Sequence, residues 1–128
     1  MNKKLEEIKI IVNNFNLQDR EWKTESVTIK SDGKSHSFTN PFADRVEFKM
    51  KEGKLYVTEI FKNVSHYNGE EIVTYYEDKC NCIDDLFENG INVRFAISNR
   101  IDRPAEIYID YEDKNYKTFM MWNIVEKV

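Results

Sequence analysis

Alternation of apolar and polar residues dominates the middle of the chain. From Arg45 to Glu77 it reads as two β-hairpins in a row. Val46, Phe48 and Met50 alternate with Glu47, Lys49 and Lys51, and Glu52-Gly53 makes a turn. The chain returns as Leu55-Tyr56-Val57-Thr58-Glu59-Ile60-Phe61, reverses at Asn68-Gly69 and leaves as Ile72-Val73-Thr74-Tyr75-Tyr76. Period-two alternation predicts strands with one buried and one wet face. Asn-Gly between such runs is a strong hairpin signal, because a type I′ turn needs positive φ at both central residues.

A helical period precedes the strands. Leu5, Ile8, Val12 and Phe15 recur every three or four residues, Ile11 widens the stripe, and Ile10 falls off it. Glu6 and Glu7 suit the positive end of the helix dipole, and Asn13, Asn14 and Asn16 predict its end near Phe15 or Leu17. The polar face carries both charge signs, so the stripe is expected to pack on the sheet. A first hairpin is expected over Glu25 to Phe38 with its turn at Asp32-Gly33. Its returning strand, Ser35 to Thr39, has the look of a weak edge that a second subunit would be able to cap. Asn40-Pro41 breaks the pairing.

Beyond Tyr76 the period changes again. Asn81 is expected to cap a short helix bearing Ile83, Leu86 and Phe87, with Asp84 at its third position and a left-handed close at Asn89-Gly90. Val93, Phe95 and Ile97 then alternate with Asn92, Arg94 and Ala96, and Asn99 to Pro104 is a polar loop. The last hairpin runs Ala105 to Tyr111 and Tyr116 to Val125 around Asp113-Lys114-Asn115. A two-residue loop sets Asp110 opposite Lys117, and a three-residue loop sets Tyr111 there. The resulting fold class is α+β: an antiparallel, largely meandering sheet of seven or eight strands, an N-terminal amphipathic helix and one short inserted helix.

Composition narrows the class. The 128 residues fit one domain, 1–128, large enough to fold without a staple. No apolar run approaches the ~18 residues of a membrane span. No apolar signal core follows Lys3 and Lys4, and the two cysteines make a poor disulfide framework. The expectation is a reduced, cytoplasmic protein with no membrane partner. A net charge of −4 argues against direct nucleic-acid binding. The Lys, Asn, Ile and Glu bias with two prolines fits an AT-rich bacterial or phage genome.

Catalytic and metal signals are weak. His36, His66, Cys80 and Cys82 are every His and Cys in the chain, and two of each make a zinc set. Cys80-Asn81-Cys82 is one residue tighter than usual ligand pairs, and the spacing leaves open whether the four ever meet. No metal or other cofactor is therefore assigned. Ser65-His66 point to opposite faces of a strand, no nucleophile elbow occurs, and the glycines all fall in turns or caps. No catalytic residue is assigned, and the chain reads as non-enzymatic.

Charge is more informative. Glu70, Glu71, Glu77, Asp78, Asp84, Asp85 and Glu88 face a single base, Lys79, within nineteen residues: a local net of −6. Tyr75 and Tyr76 lie among them and supply large, stiff contact area. These residues predict a partner-binding surface for a protein with a basic site, such as a nucleic-acid-binding protein. The function expected is that of an inhibitor or immunity-type antagonist acting by occlusion, of the kind phages and toxin-carrying bacteria encode against a defence or toxin. A second reading uses Arg94, Arg100 and Arg103, three of five arginines, as a cluster holding a phosphorylated, nucleotide-like small molecule for sequestration or sensing.

Overall fold

A computed structural model describes residues 3–31, 34–38, 43–115 and 117–127. The turn expected at Asp32-Gly33, the break at Asn40-Pro41 and the strand start at Tyr116 lie outside the described residues. Helix α1 spans Lys3–Asn14 and buries Ile8 and Val12. It stops where Asn16 turns left-handed (φ 50°), one residue before a 3-10 turn over Leu17–Asp19. That early stop corrects the place of Phe15, which is exposed, while Leu17 enters the core in its stead.

Strand β1 (Trp22–Ser31) starts three residues earlier than the alternation suggests, and those residues matter. Trp22 and Thr24 are buried, and an irregularity between Thr24 and Ser26 then shifts the faces. β2 (Lys34–Phe38) pairs with the far half of β1, Val27 opposite Phe38. β3 (Arg45–Lys51) and β4 (Lys54–Tyr67) join through Glu52 and Gly53, both at positive φ. β4 and β5 (Glu70–Cys82) join through Asn68 and Gly69, again both positive. Helix α2 (Ile83–Asn89) follows, then β6 (Arg94–Ser98), β7 (Glu106–Glu112) and β8 (Thr118–Glu126).

All pairings are antiparallel, in one eight-stranded sheet of order β5-β4-β3-β1-β8-β7-β6 with β2 on β1 beside that path. Two meanders, β3-β4-β5 and β6-β7-β8, therefore meet at β1. The first meander touches β1 through one pair, Trp22 opposite Val46. Trp22 also meets the Phe48 ring edge-on at 5.7 Å, and its indole N–H donates to the Leu17 carbonyl at 3.0 Å. Phe48 in turn meets Phe95 at 6.4 Å, so one aromatic chain crosses the seam between the halves. Leu55, Val57, Ile107, Ile109, Trp122 and Ile124 join Ile8 and Val12 in the same core, with Ala43, Val46, Ile83 and Ala105. No helix among the described residues is long and apolar enough to cross a membrane.

Three local expectations are corrected. Asn81 does not cap α2: it still pairs with Val57 in β5, and Cys82 holds the cap position without a side-chain bond. Gly90 closes α2 at φ −102°, not left-handed. Its small size is used instead, since a Cβ there would lie 2.5 Å from Val93 Cγ2 and 2.7 Å from Tyr111 Cε2. The last hairpin adopts neither expected register, because Glu112 faces Phe119 and Tyr111 faces Met120. The Asp113 carboxylate accepts the Asn115 and Lys117 amides, which widens the turn. The wider turn sets Ile107 and Ile109 opposite Ile124 and Trp122, one buried pair above another.

Candidate partner-binding ribbon

β4 and β5 are 14 and 13 residues long, against a usual strand of about six. β3 accompanies β4 only as far as Ile60, opposite Arg45. From there seven pairs, Phe61 with Tyr76 through Tyr67 with Glu70, form a two-stranded ribbon that no other described strand covers. At about 3.4 Å per residue it extends roughly 20 Å beyond the body. Every described side chain from Lys62 to Cys80 is exposed.

Alternation sorts the ribbon into two faces. Phe61, Tyr67, Ile72 and Tyr76 share one; Val64, Val73 and Tyr75 share the other with Lys62, His66 and Glu71. Six of the eleven exposed large apolar side chains among the described residues lie here: Val64, Tyr67, Ile72, Val73, Tyr75 and Tyr76. Tyr67 is 69% exposed and Tyr75 55%. The base of the ribbon is anchored on both faces. Phe61 and Tyr76 stack at 5.9 Å, and the Arg45 guanidinium sits 5.9 Å over the Tyr75 ring.

The acids of the 70–88 stretch divide three ways. Glu70 and Glu71 stand at the ribbon tip, and Glu77 and Asp78 at its base. Five residues of strand lie between the two groups, which puts Glu71 about 20 Å from Glu77. Asp84, Asp85 and Glu88 ride on α2. Of these, Asp85 and Glu88 are exposed, Asp85 with Lys54 at 4.0 Å. Asp84 is engaged inside the fold: one oxygen accepts the Leu55 amide at 2.8 Å and the other the Lys9 ammonium at 2.8 Å. Lys9 also donates to the Gly53 carbonyl at 2.8 Å, so Asp84 ties α1, α2 and the β3–β4 turn together.

Burial alone would raise the Asp84 pKa, but the hydrogen bonds from Lys9 and the Leu55 amide hold it below the usual carboxylate value. The hydrogen bond from Arg20, against some burial, holds Glu126 low as well. Both carboxylates thus have folded pKa values below their unfolded ones. Their stabilisation is complete above the unfolded values near pH 4 and is lost as pH falls through the folded values. Thermal melts are expected to weaken steeply below about pH 4. Asp84→Ala is expected to flatten that fall and, at pH 7, to cost about 2 kcal/mol by stranding the Leu55 amide and Lys9. Melting followed by circular dichroism across pH checks both.

The arginines do not gather. Arg94 begins β6 and pairs with Asp110 at 2.6 Å, whereas Arg100 and Arg103 lie past Ser98, beyond its other end. The length of β6 puts about 13 Å between the two positions. Arg100 pairs locally with Asp102 at 3.4 Å. A groove of about 500 Å³ between α1 and the start of β6 is lined by Lys4, Ile8, Phe87, Phe95 and Arg94, with neither Arg100 nor Arg103. Nor does His66 meet the cysteines. His66 is near the ribbon tip, while Cys80 lies opposite Thr58, eight residues back along β4 and about 26 Å away. No three metal-ligating side chains cluster among the described residues.

Neither a family model, nor a curated protein, nor a solved structure matches this chain. Sequence reasoning had singled out Tyr75 and Tyr76 but passed over Val64, Tyr67, Ile72 and Val73. The signal available was length: the strands on either side of Asn68-Gly69 run on past the end of β3, the described strand that pairs with β4.

Proposed function

We propose that this chain is a non-enzymatic binding protein that occludes a basic site on a partner protein, in the manner of an inhibitor or immunity-type antagonist. One observation carries the reading: a ribbon that leaves the body and presents Val64, Tyr67, Ile72, Val73, Tyr75 and Tyr76 to solvent. A two-stranded hairpin wet on both faces is marginal in water. Apolar side chains concentrated on such an arm favour burial against another molecule. Tyrosine supplies contact area at low entropy cost. Glu70 and Glu71 at the ribbon tip and Glu77 and Asp78 at its base outnumber the nearby bases Lys62, Lys79 and Arg45, which steers it towards positive surface. Asp85 and Glu88 extend the negative field on α2, and Asp84 acts from within the fold.

The test is recovery of the partner from the native cell with the intact chain and with a Tyr75→Ser/Tyr76→Ser variant. The intact chain is expected to retain one protein in a 1:1 complex that weakens with salt. The variant loses the Phe61 stack and the Arg45 contact, so its melting temperature is expected to fall by no more than about 5 °C. Its affinity for the partner is expected to fall at least about tenfold, these side chains being of the kind that dominate interfaces. A variant that holds the same partner equally well contradicts the reading.

A further inference from the structure

β5 is the terminal strand of the sheet. It pairs with β4 on one side, and no described strand pairs with the other. Its outer edge therefore offers a row of backbone N–H and C=O groups. Protein edges of this kind are blunted by proline, lysine or a bulge. Between Glu70 and Glu77 there is none of these: the sequence lacks Pro and Lys, and the register with β4 runs unbroken from Tyr67–Glu70 to Ile60–Glu77. The irregularity comes only afterwards, opposite Glu59 and Ile60. What this edge carries instead is a charge at each end. Glu70-Glu71 and Glu77-Asp78 flank the apolar run Ile72-Val73-Thr74-Tyr75-Tyr76.

We propose that the Glu70–Asp78 edge of β5 receives, by strand addition, an extended segment of a partner protein whose apolar middle carries Lys or Arg at both ends. The proposal rests on the partner-binding reading above and adds its mode and the chemistry of the partner. Strand addition draws affinity from main-chain hydrogen bonds and specificity from side chains on alternate faces. Both faces of the ribbon carry apolar groups for that purpose, Val73 and Tyr75 on one and Ile72 and Tyr76 on the other. The acids then select the occupant. A second copy paired antiparallel about Val73 and Thr74 sets Glu70 against Glu77 at both ends, and like charges directly opposed are destabilising. A segment with basic ends meets an opposite charge at both ends. The same four residues thus oppose self-pairing and favour a basic strand.

The probe is a synthetic nine-residue peptide, Lys-Lys-Thr-Val-Thr-Val-Thr-Lys-Lys, blocked at both termini and added to the intact chain. Its counterpart has Glu in place of the four Lys. Backbone amide exchange is followed residue by residue by NMR. With the lysine peptide in excess, exchange at alternate amides of residues 70–78 is expected to slow at least about tenfold, as newly bonded edge amides do. The protection is expected to fade between about 0.05 and about 0.5 M salt. The glutamate peptide is expected to leave exchange unchanged, and so is a lysine peptide N-methylated at the residues that donate to β5. No slowing with the lysine peptide, or equal slowing with both charge versions, overturns the proposal. So does a free chain that dimerises in sedimentation with the same amides already protected, since the edge then belongs to a second copy. The tyrosine variants separate the two readings. If they lose the native partner while the peptide leaves the edge unprotected, strand addition fails and the partner-binding reading stands; if they keep it, that reading fails by itself.

Discussion

Deleting Lys62–Tyr75 and joining Phe61 to Tyr76 through Asn-Gly is expected to leave a folded body that has lost its partner. The join is compatible with the register, because Phe61 and Tyr76 face each other as Tyr67 and Glu70 do around Asn68-Gly69. The stacked pair at the ribbon base is retained. Nothing in the deleted segment belongs to the core, whose nearest members are Ile60 at 5% exposure and the half-buried Phe61. The melting temperature is therefore expected to move by less than about 5 °C. Partner binding is expected to disappear altogether, the largest functional effect that a change outside the core is expected to have. Calorimetry and a binding titration on the same sample read both. A truncated chain that fails to fold would make the ribbon a structural element and leave the functional reading without its basis.

The opposite outcome is expected of Trp22→Ala, which touches nothing on the ribbon. Trp22 is fully buried, provides the one strand pair between β1 and β3, bonds the Leu17 carbonyl and supports Phe48. Removing a buried Trp costs about 3–5 kcal/mol, a large part of the ~5–15 kcal/mol that holds a domain together. At this chain length that corresponds to a fall of about 12–20 °C in melting temperature, or to loss of a cooperative transition. Trp22→Phe keeps most of the ring and loses the indole N–H, so its cost is expected to be less than half as great. An equal loss for both variants would shift the weight from packing at the seam to the Leu17 hydrogen bond.

How legible each feature was depended on how local its cause is. Gly53 and Gly69, with Glu52 and Asn68 before them, take the positive φ their turns demand, and both hairpins follow from two residues each. Ile8 and Val12 reveal α1 because a helix face is set by spacing alone. The meeting of two meanders at β1 was not legible. Val27 pairs with Trp122 across ninety-five residues, and no local pattern encodes that choice. The register of the last hairpin turned on a single carboxylate, Asp113, accepting two amides beyond it.

The ribbon was legible by half. Alternation assigns faces, but it does not say whether a face is covered. Val57 and Val64 are both valines of β4, and one is fully buried, opposite Phe48 of β3, while the other lies past the end of β3 and is exposed. Asp84 and Asp85 pose the same problem for charge. They are neighbours of one type, and only the placement of Lys9 and the Leu55 amide separates the engaged acid from the exposed one. The three arginines looked like a cluster for a related reason: proximity in sequence spans both ends of β6.

The most direct test of the ribbon's role is site-specific photo-crosslinking in the native cell, with a photoreactive residue placed in turn at Val73, at Tyr75 and at Ile101. Ile101 is the control, an exposed apolar residue in the loop between β6 and β7. Capture of one protein partner from Val73 and Tyr75, and none from Ile101, is the result expected. Capture from Ile101 with silence from both ribbon positions would contradict the account and move the binding surface to the other end of the sheet.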